Sequence, residues 1–380
     1  MEIKLPKYLK YTIILLGLIL LLWILQTFKS TLMPMAFGLL FAMLLLPLTR
    51  DLENRRLPRA IAIFISIIFV VVILGLVVWF LSVQLMSLTS ELDKIGENIN
   101  ALIMRFQEYL YQKTGIQPVN NTDLIRNIIG SLQDISTTFL GSTISMTTGA
   151  IAALTLVPIF VFCLLYYRDH LEQFMFKFVT RDRRGNMNQT ITNIQGVIQS
   201  YISGLMIVIM IVALLNSAGL LLLDVKYAIF FGVFASILTI IPYIGILIGA
   251  TLPALFTLAT TGSLLDAALV VVALMVVQFL EGNFITPFVV GSKVSINPFA
   301  AIVALLIGGE VWGPAGMILS IPIIATLKVL FDAYPPLNPF GFLISDIEDT
   351  KPKKSGRFNR MFDKIREKAI RKGKEEREEK

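Results

Sequence analysis

Between Gln278 and Pro322 the chain reads QFLEGNFITPFVVGSKVSINPFAAIVALLIGGEVWGPAGMILSIP. Two acids, Glu281 and Glu310, stand here among long apolar runs, with Gln278, Asn283, Thr286 and Asn297 as neutral donors and acceptors nearby. Ionisable groups inside an apolar stretch of membrane length are costly, and they mark ion or solute pathways by default. A carboxylate withdrawn from water keeps its proton to higher pH than a solvated one, so an acid in such a place can trade a proton or a monovalent cation near neutrality. Gln278 lies three residues before Glu281, which puts both on one face of a helix. Glu281 is therefore the sharpest candidate for an exchangeable carboxylate, set against the plainer role of a helix cap or headgroup anchor. Lys293 either pairs with Glu281 or faces the cytoplasm. Asn216, further upstream, reads as interhelical glue worth about 0.6 kcal/mol. Asp224 reads as an interfacial loop residue, and Asp266 as an acid in the first turn of a helix, where the dipole favours it.

The apolar runs that hold these residues are broken. Pro287 interrupts the stretch, as do Gly308 and Gly309 with Gly313 and Pro314 around Glu310; Pro242 and Gly245 interrupt an earlier run, Tyr227–Thr261. An unsatisfied backbone group in hydrocarbon costs several kcal/mol, so such breaks are tolerated only inside protein or beside a water-filled path. The earlier run and the run from Phe299 to Lys328 both exceed the roughly 20 residues that one span needs. Each reads as two short helices or a hairpin dipping into the membrane. Paired interrupted segments are the best sequence pointer to a transporter binding site. Glu310 would sit there against helix ends, which attract ions.

Other chemistries lack their residues. The chain contains no HExxH, Walker A, GxSxG or dinucleotide-binding pattern. The single Cys163 cannot form an intrachain disulfide, and one histidine, His170, makes no metal cluster. We expect no enzyme, no metal and no cofactor, and any transport to be driven by an ion gradient or a partner.

The elements that must position the acids follow from composition. Of 380 residues 56% are hydrophobic and only 16% charged, against about 25% charged in a soluble domain. The fold class is all-α: a polytopic helical membrane protein of about eight transmembrane helices, with broken or re-entrant helices in the C-terminal half. Residues 1–81 hold the first three spans, Tyr11–Phe28, Leu32–Leu48 and Ala60–Leu81. Residues 82–143 are richer in charge, with apolar residues at helical spacing, and read as an extracytoplasmic helical hairpin. Residues 144–340 form the transport core, beginning with the spans Ile144–Tyr167 and Leu205–Leu223; Thr190–Tyr201 either lies at the interface or leads into the latter. Residues 341–380 are a basic cytoplasmic tail. The net charge of +7 sits in that tail, where the last thirty residues carry 13 Lys and Arg against 6 Asp and Glu. Attraction to anionic headgroups explains the tail better than nucleic acid does. The arginine-rich turns at Arg50–Arg59 and Arg168–Arg184 place both termini in the cytoplasm by the positive-inside rule.

The strings IPYIGILIGATLPAL and QFLEGNFITPFVVGSKVSINPFAAIVALLIGGEVWGPAGMILSIPIIATLKVL resemble the autoinducer-2 exporter family of bacterial membrane permeases, with Pro242, Gly245, Glu281, Asn283, Pro287, Gly291, Pro298, Gly313, Gly316 and Pro322 on the family pattern. The resemblance implies an inner-membrane permease of about eight spans, plausibly oligomeric, exporting the signalling furanone or exchanging sodium or lithium for protons. The expected function is a secondary transporter of a small polar solute, with autoinducer-2 as the named candidate. The alternatives are a monovalent cation/proton antiporter and a non-transporting membrane scaffold.

Overall fold

The computed structural model describes residues 6–89, 104, 107–108, 111–113, 148–177, 184–242, 244–290 and 296–346. Most of the expected hairpin of residues 82–143, Gly291, Lys293 and the basic tail lie outside the described residues. Within them the chain is helical throughout: α1 (Lys7–Thr27), α2 (Lys29–Asn54), α3 (Arg59–Thr89), α4 (Thr148–Tyr166), α5 (Arg168–Lys177), α6 (Arg184–Leu222), α7 (Ala228–Leu238), α8 (Ile244–Thr261), α9 (Leu264–Leu280), a π-turn (Glu281–Ile285), α10 (Thr286–Val289), α11 (Pro298–Trp312), α12 (Pro314–Ala333) and α13 (Asn338–Ile344). Five stretches are long and apolar enough to cross a membrane, with shorter apolar helices beside them. This is the polytopic helical membrane protein expected from the sequence.

Boundaries differ from the sequence reading in ways that packing explains. A single residue, Phe28, separates α1 from α2. The third span runs on through Thr89, carrying the helix past residue 81. Thr190–Tyr201 is the lead-in rather than a separate interfacial helix, because α6 continues for 39 residues, about 58 Å at 1.5 Å per residue. Its N-terminal half is tied to α2, where Gln199 Nε2 donates to Met43 O at 3.0 Å.

Two apolar cores share α3, which gives Ile63 to one and Leu81 to the other. In one, α2, α3 and α4 pack through Ala42, Leu45, Leu46, Ile63, Val161 and Leu165. A buried polar pair, Thr49 Oγ1 to Ser66 Oγ at 3.1 Å, lies close by between α2 and α3. In the other, Leu220, Phe231, Phe256, Val270 and Leu274 join α6, α7, α8 and α9. A smaller contact of Val208 and Val212 on α6 with Val277 on α9 extends this core to the π-turn.

An ion-pair network closes one end of the bundle. Arg59 bonds Asp169 at 2.6 Å and also donates to the Leu165 carbonyl, while Arg168 reaches Glu53 at 2.5 Å. The α2–α3 turn and the α4–α5 junction therefore lie at the same end. Partial burial pushes the Asp169 carboxyl up, but the bond and charge of Arg59, helped by Arg168, outweigh it and hold the group below its ordinary range.

The two long apolar runs both break. The run from Tyr227 to Thr261 divides between α7 and α8. The C-terminal run divides at Gly313, whose φ of 63° and ψ of −145° suit glycine alone. Pro314 then starts α12 at a position where its missing N–H is harmless. Eleven residues in α7 make about 16 Å and fifteen in α11 about 22 Å, so neither crosses a 30 Å hydrocarbon core by itself.

Candidate functional site

Glu281 is carried by α9, which starts at a Ser263 cap accepting from Asp266 N and runs as seventeen apolar-rich residues to Leu280. The helix then widens into the π-turn from Glu281 to Ile285. Such single-turn bulges recur at functional sites. The half-buried carboxylate accepts from Gln278 Nε2 at 2.6 Å on Oε2 and from the Thr286 hydroxyl on Oε1. Both oxygens are held by neutral donors, which steady a negative charge without cancelling it. Among the described residues neither oxygen meets a basic group. The arrangement presents one carboxylate whose two oxygens each accept a hydrogen bond from a neutral side chain.

The other residues singled out in the sequence are dispersed. Asn283 is exposed and turns back on its own helix, donating to Phe279 O at 2.9 Å. Asn297 caps α11, accepting from Ala300 N at 2.8 Å, and reaches across to α13, donating to Leu343 O at 2.6 Å. Glu310 is exposed in the last turns of α11 rather than within the break, which falls at Gly313. Trp312, two residues later, donates its indole N–H to Leu25 O on α1. The structure thus brings Gln278, Glu281 and Thr286 together and leaves Asn283, Asn297 and Glu310 in separate surroundings.

The helix-break residues make the close contacts their types allow. A Cβ on Gly245 would stand 1.8 Å from Leu238 O, so the turn between α7 and α8 closes only on a glycine. Gly308 and Gly316 seat α11 on α12 backbone to backbone, where a Cβ on Gly316 would stand 1.9 Å from Gly308 O. Gly309 faces Met317, and Pro287 lies in the first turn of α10. Pro242 lies in the link between α7 and α8.

A cavity of about 270 Å³ opens between α6, α7, α8 and α9. Its polar lining is Asn216, Thr239, Thr251 and Gln278, the last also bonded to Glu281. Sequence reading passed over Thr239 and Thr251 and took Asn216 for interhelical glue. The one available signal was an asparagine inside an apolar span.

A bundle of membrane-length helices that holds a half-buried carboxylate at a widened turn, and that contains two broken hairpins, has the architecture of a membrane transporter. The comparisons narrow that class. The chain belongs to the AI-2E family of transporters: the family model described as AI-2E family transporter matches residues 12–336. It is similar to a Bacillus subtilis protein with the provisional name of transport protein YrrI, 27% identical over 319 residues, covering 80% of this chain and 86% of that one. It is also similar to the AI-2 transport protein TqsA of Escherichia coli, 25% identical over 342 residues, covering 89% and 96% of the two chains.

Proposed function

We propose that this protein is a secondary transporter of the bacterial inner membrane that exports a small polar solute, with Glu281 as the site where the driving ion binds. The observation that carries the reading is the Glu281 carboxylate at the π-turn, held on both oxygens by Gln278 and Thr286. Autoinducer-2 is the solute to test first, since TqsA carries it in its name. The end closed by Arg59, Asp169, Arg168 and Glu53 is the cytoplasmic one in this reading, by the arginine excess of its turns. Both termini lie on that side, and residues 82–143 lie on the other. Residues 144–340 are the transport core. The basic tail of residues 341–380 attracts anionic headgroups. The long exposed apolar faces of α1 and α3 suit lipid and a second copy of the chain in a homo-oligomer.

The deciding experiment is solute flux in vesicles of purified protein under imposed proton and sodium gradients. Glu281→Gln keeps the size, offers one acceptor oxygen in place of two and cannot titrate, and should abolish gradient-driven flux while leaving downhill exchange. Flux that responds to gradients equally in wild type and variant would remove Glu281 from the mechanism. The second reading, exchange of sodium or lithium for protons, is favoured by the neutrality of both donors to Glu281. It predicts proton release from the vesicles when sodium or lithium is added, and no requirement for an organic solute.

A further inference from the structure

The geometry points to a solute-binding site that is separate from the Glu281 carboxylate: the cavity between α6, α7, α8 and α9, which takes an uncharged solute of monosaccharide size or smaller bearing hydroxyl groups. The inference rests on the transporter reading above and adds to it where the solute binds and what kind it is.

Three observations carry it. Asn216 is only 5% exposed, lines the cavity, and its Oδ1 is buried without a hydrogen-bond partner among the described residues. An acceptor left this way is expensive in an apolar bundle, and a satisfied interhelical asparagine would not show it. As placed, Oδ1 has almost no surface open to the cavity, and a turn of the side-chain amide brings this unpartnered acceptor to it, where a solute O–H supplies the missing donor.

The second observation is the character of the walls. Around Asn216 stand Thr239, Thr251 and Gln278 amid apolar side chains, and none of the described residues that line the cavity is ionisable. A charged solute would lose its hydration there with no counter-charge, whereas a few placed amides and hydroxyls in an apolar wall recognise a neutral polar one. At about 270 Å³ the space is just below the roughly 300 Å³ at which pockets for drug-sized ligands begin, and a solute of monosaccharide size fits within it. The first turn of α8, from Gly245 to Leu247, also lines the space. A helix start presents the positive end of its dipole, which favours the oxygen atoms of a hydroxylated solute.

The third is Gln278, which belongs to the cavity and to Glu281 at once. Its bond to Glu281 uses one amide N–H, leaving the second N–H and the carbonyl oxygen as what it can offer a ligand. When Glu281 Oε2 gains a proton it becomes a donor, and the amide must present a different group to it. The occupant of the cavity and the state of the carboxylate are thus joined through one side chain.

The test uses full-length protein in nanodiscs with Cys163→Ala, which removes the single native thiol, and Thr251→Cys as a reporter in the cavity wall. Labelling by N-ethylmaleimide is timed with glycerol, ribose or autoinducer-2, and with sodium chloride, lithium chloride or glutamate as charged controls. A neutral hydroxylated solute at about ten times its dissociation constant should slow labelling about tenfold. Adding Asn216→Leu should abolish that protection without lowering the melting temperature, because it removes an orphaned acceptor. A purely structural Asn216 would instead lower the melt and leave protection in place. Glu281→Gln should shift the solute concentration that protects, because Gln278 must then present a different amide group to residue 281, and gradient-driven flux should be lost.

Protection by sodium or lithium alone would overturn the inference in favour of a cation site, and so would protection that survives Asn216→Leu. Labelling that no solute slows overturns it too. If wild-type vesicles transport solute, and Asn216→Leu leaves its KM unchanged while Glu281→Gln stops gradient-driven flux, the cavity is wrong and the transporter reading stands. Protection of Thr251→Cys without any flux in wild-type vesicles would support the cavity and remove the transporter reading.

Discussion

Gly245→Ala is the substitution whose effect can be worked most closely from the structure. The added Cβ would lie 1.8 Å from Leu238 O, 2.3 Å from Leu238 C and 2.7 Å from Thr239 N. All three are backbone atoms, so no side-chain rotation relieves the clash. Real Cβ contacts keep at least 3.0 Å, and the start of α8 must therefore move away from the end of α7 by about 1.2 Å. Overpacking of this kind costs about 1–3 kcal/mol. The Leu238 carbonyl also accepts from Ile241 N at 2.9 Å, a bond that the shift stretches, at about 0.5–1.5 kcal/mol. Alanine's better helix propensity returns up to about 1 kcal/mol. The net loss is about 0.5–4.5 kcal/mol, read as a fall of several degrees in the melting temperature of the purified protein. Because the displaced turn lines the cavity, solute KM should rise as well. Gly75→Ala is the control: nothing stands within 4 Å of its added Cβ, and its melt should hold or rise slightly. Equal melts and equal KM values for Gly245→Ala and wild type would refute the close-approach argument.

The remaining predictions probe other joints of the fold. Gly313→Ala forces a residue with a Cβ into a conformation kept for glycine, costing about 1–3 kcal/mol and lowering the melt without any steric contact to blame. Asn297→Ala removes the α11 cap and the bonds to Leu343 and Ser345, costing about 1–2 kcal/mol for the cap alone; hydrogen exchange across α13 should quicken. The Asp169 carboxyl is held below its ordinary value of 3.8, so its contribution is present above that pH and lost as pH falls through the lowered value. Since Asp169 is 62% exposed, the contribution is below about 1 kcal/mol, and Arg59→Gln should flatten that acid limb of the melting curve. Arg168→Met, which strips Glu53 of its partner in a less exposed setting, should cost more, about 1.5–3 kcal/mol by the same melt.

How much of this was legible depended on range along the chain. Glu281 and Gln278 are three apart, and ordinary helical spacing joins them, as the structure does at 2.6 Å. Both long runs were legible as broken, because a lone span needs only about 20 residues. Asn297 before Pro298 is a helix-start signature as well as a candidate polar site, and in the structure its side chain serves as the cap. Arg59 and Asp169 are 110 residues apart, and no local pattern pairs them. The cavity draws on positions from Asn216 to Gln278 across four helices, so only the packing of α6 to α9 assembles it.

The π-turn explains why one carboxylate gathers its partners from so short a segment. At about 100° per residue, five steps of an α-helix would leave Thr286 about 140° around the axis from Glu281. A turn closed by i to i+5 bonds brings the fifth residue back over the first, and the Thr286 hydroxyl then reaches Oε1 while Gln278 keeps Oε2. Widening a helix leaves a carbonyl without its usual donor, a heavy cost in apolar surroundings. The exposed Asn283 amide donates to Phe279 O within the same segment. Gln278 faces the other way as well, into the cavity that holds Asn216. Three polar residues within nine positions of an apolar helix thus meet at one point: Glu281 accepts on both oxygens, and Gln278 and Thr286 donate.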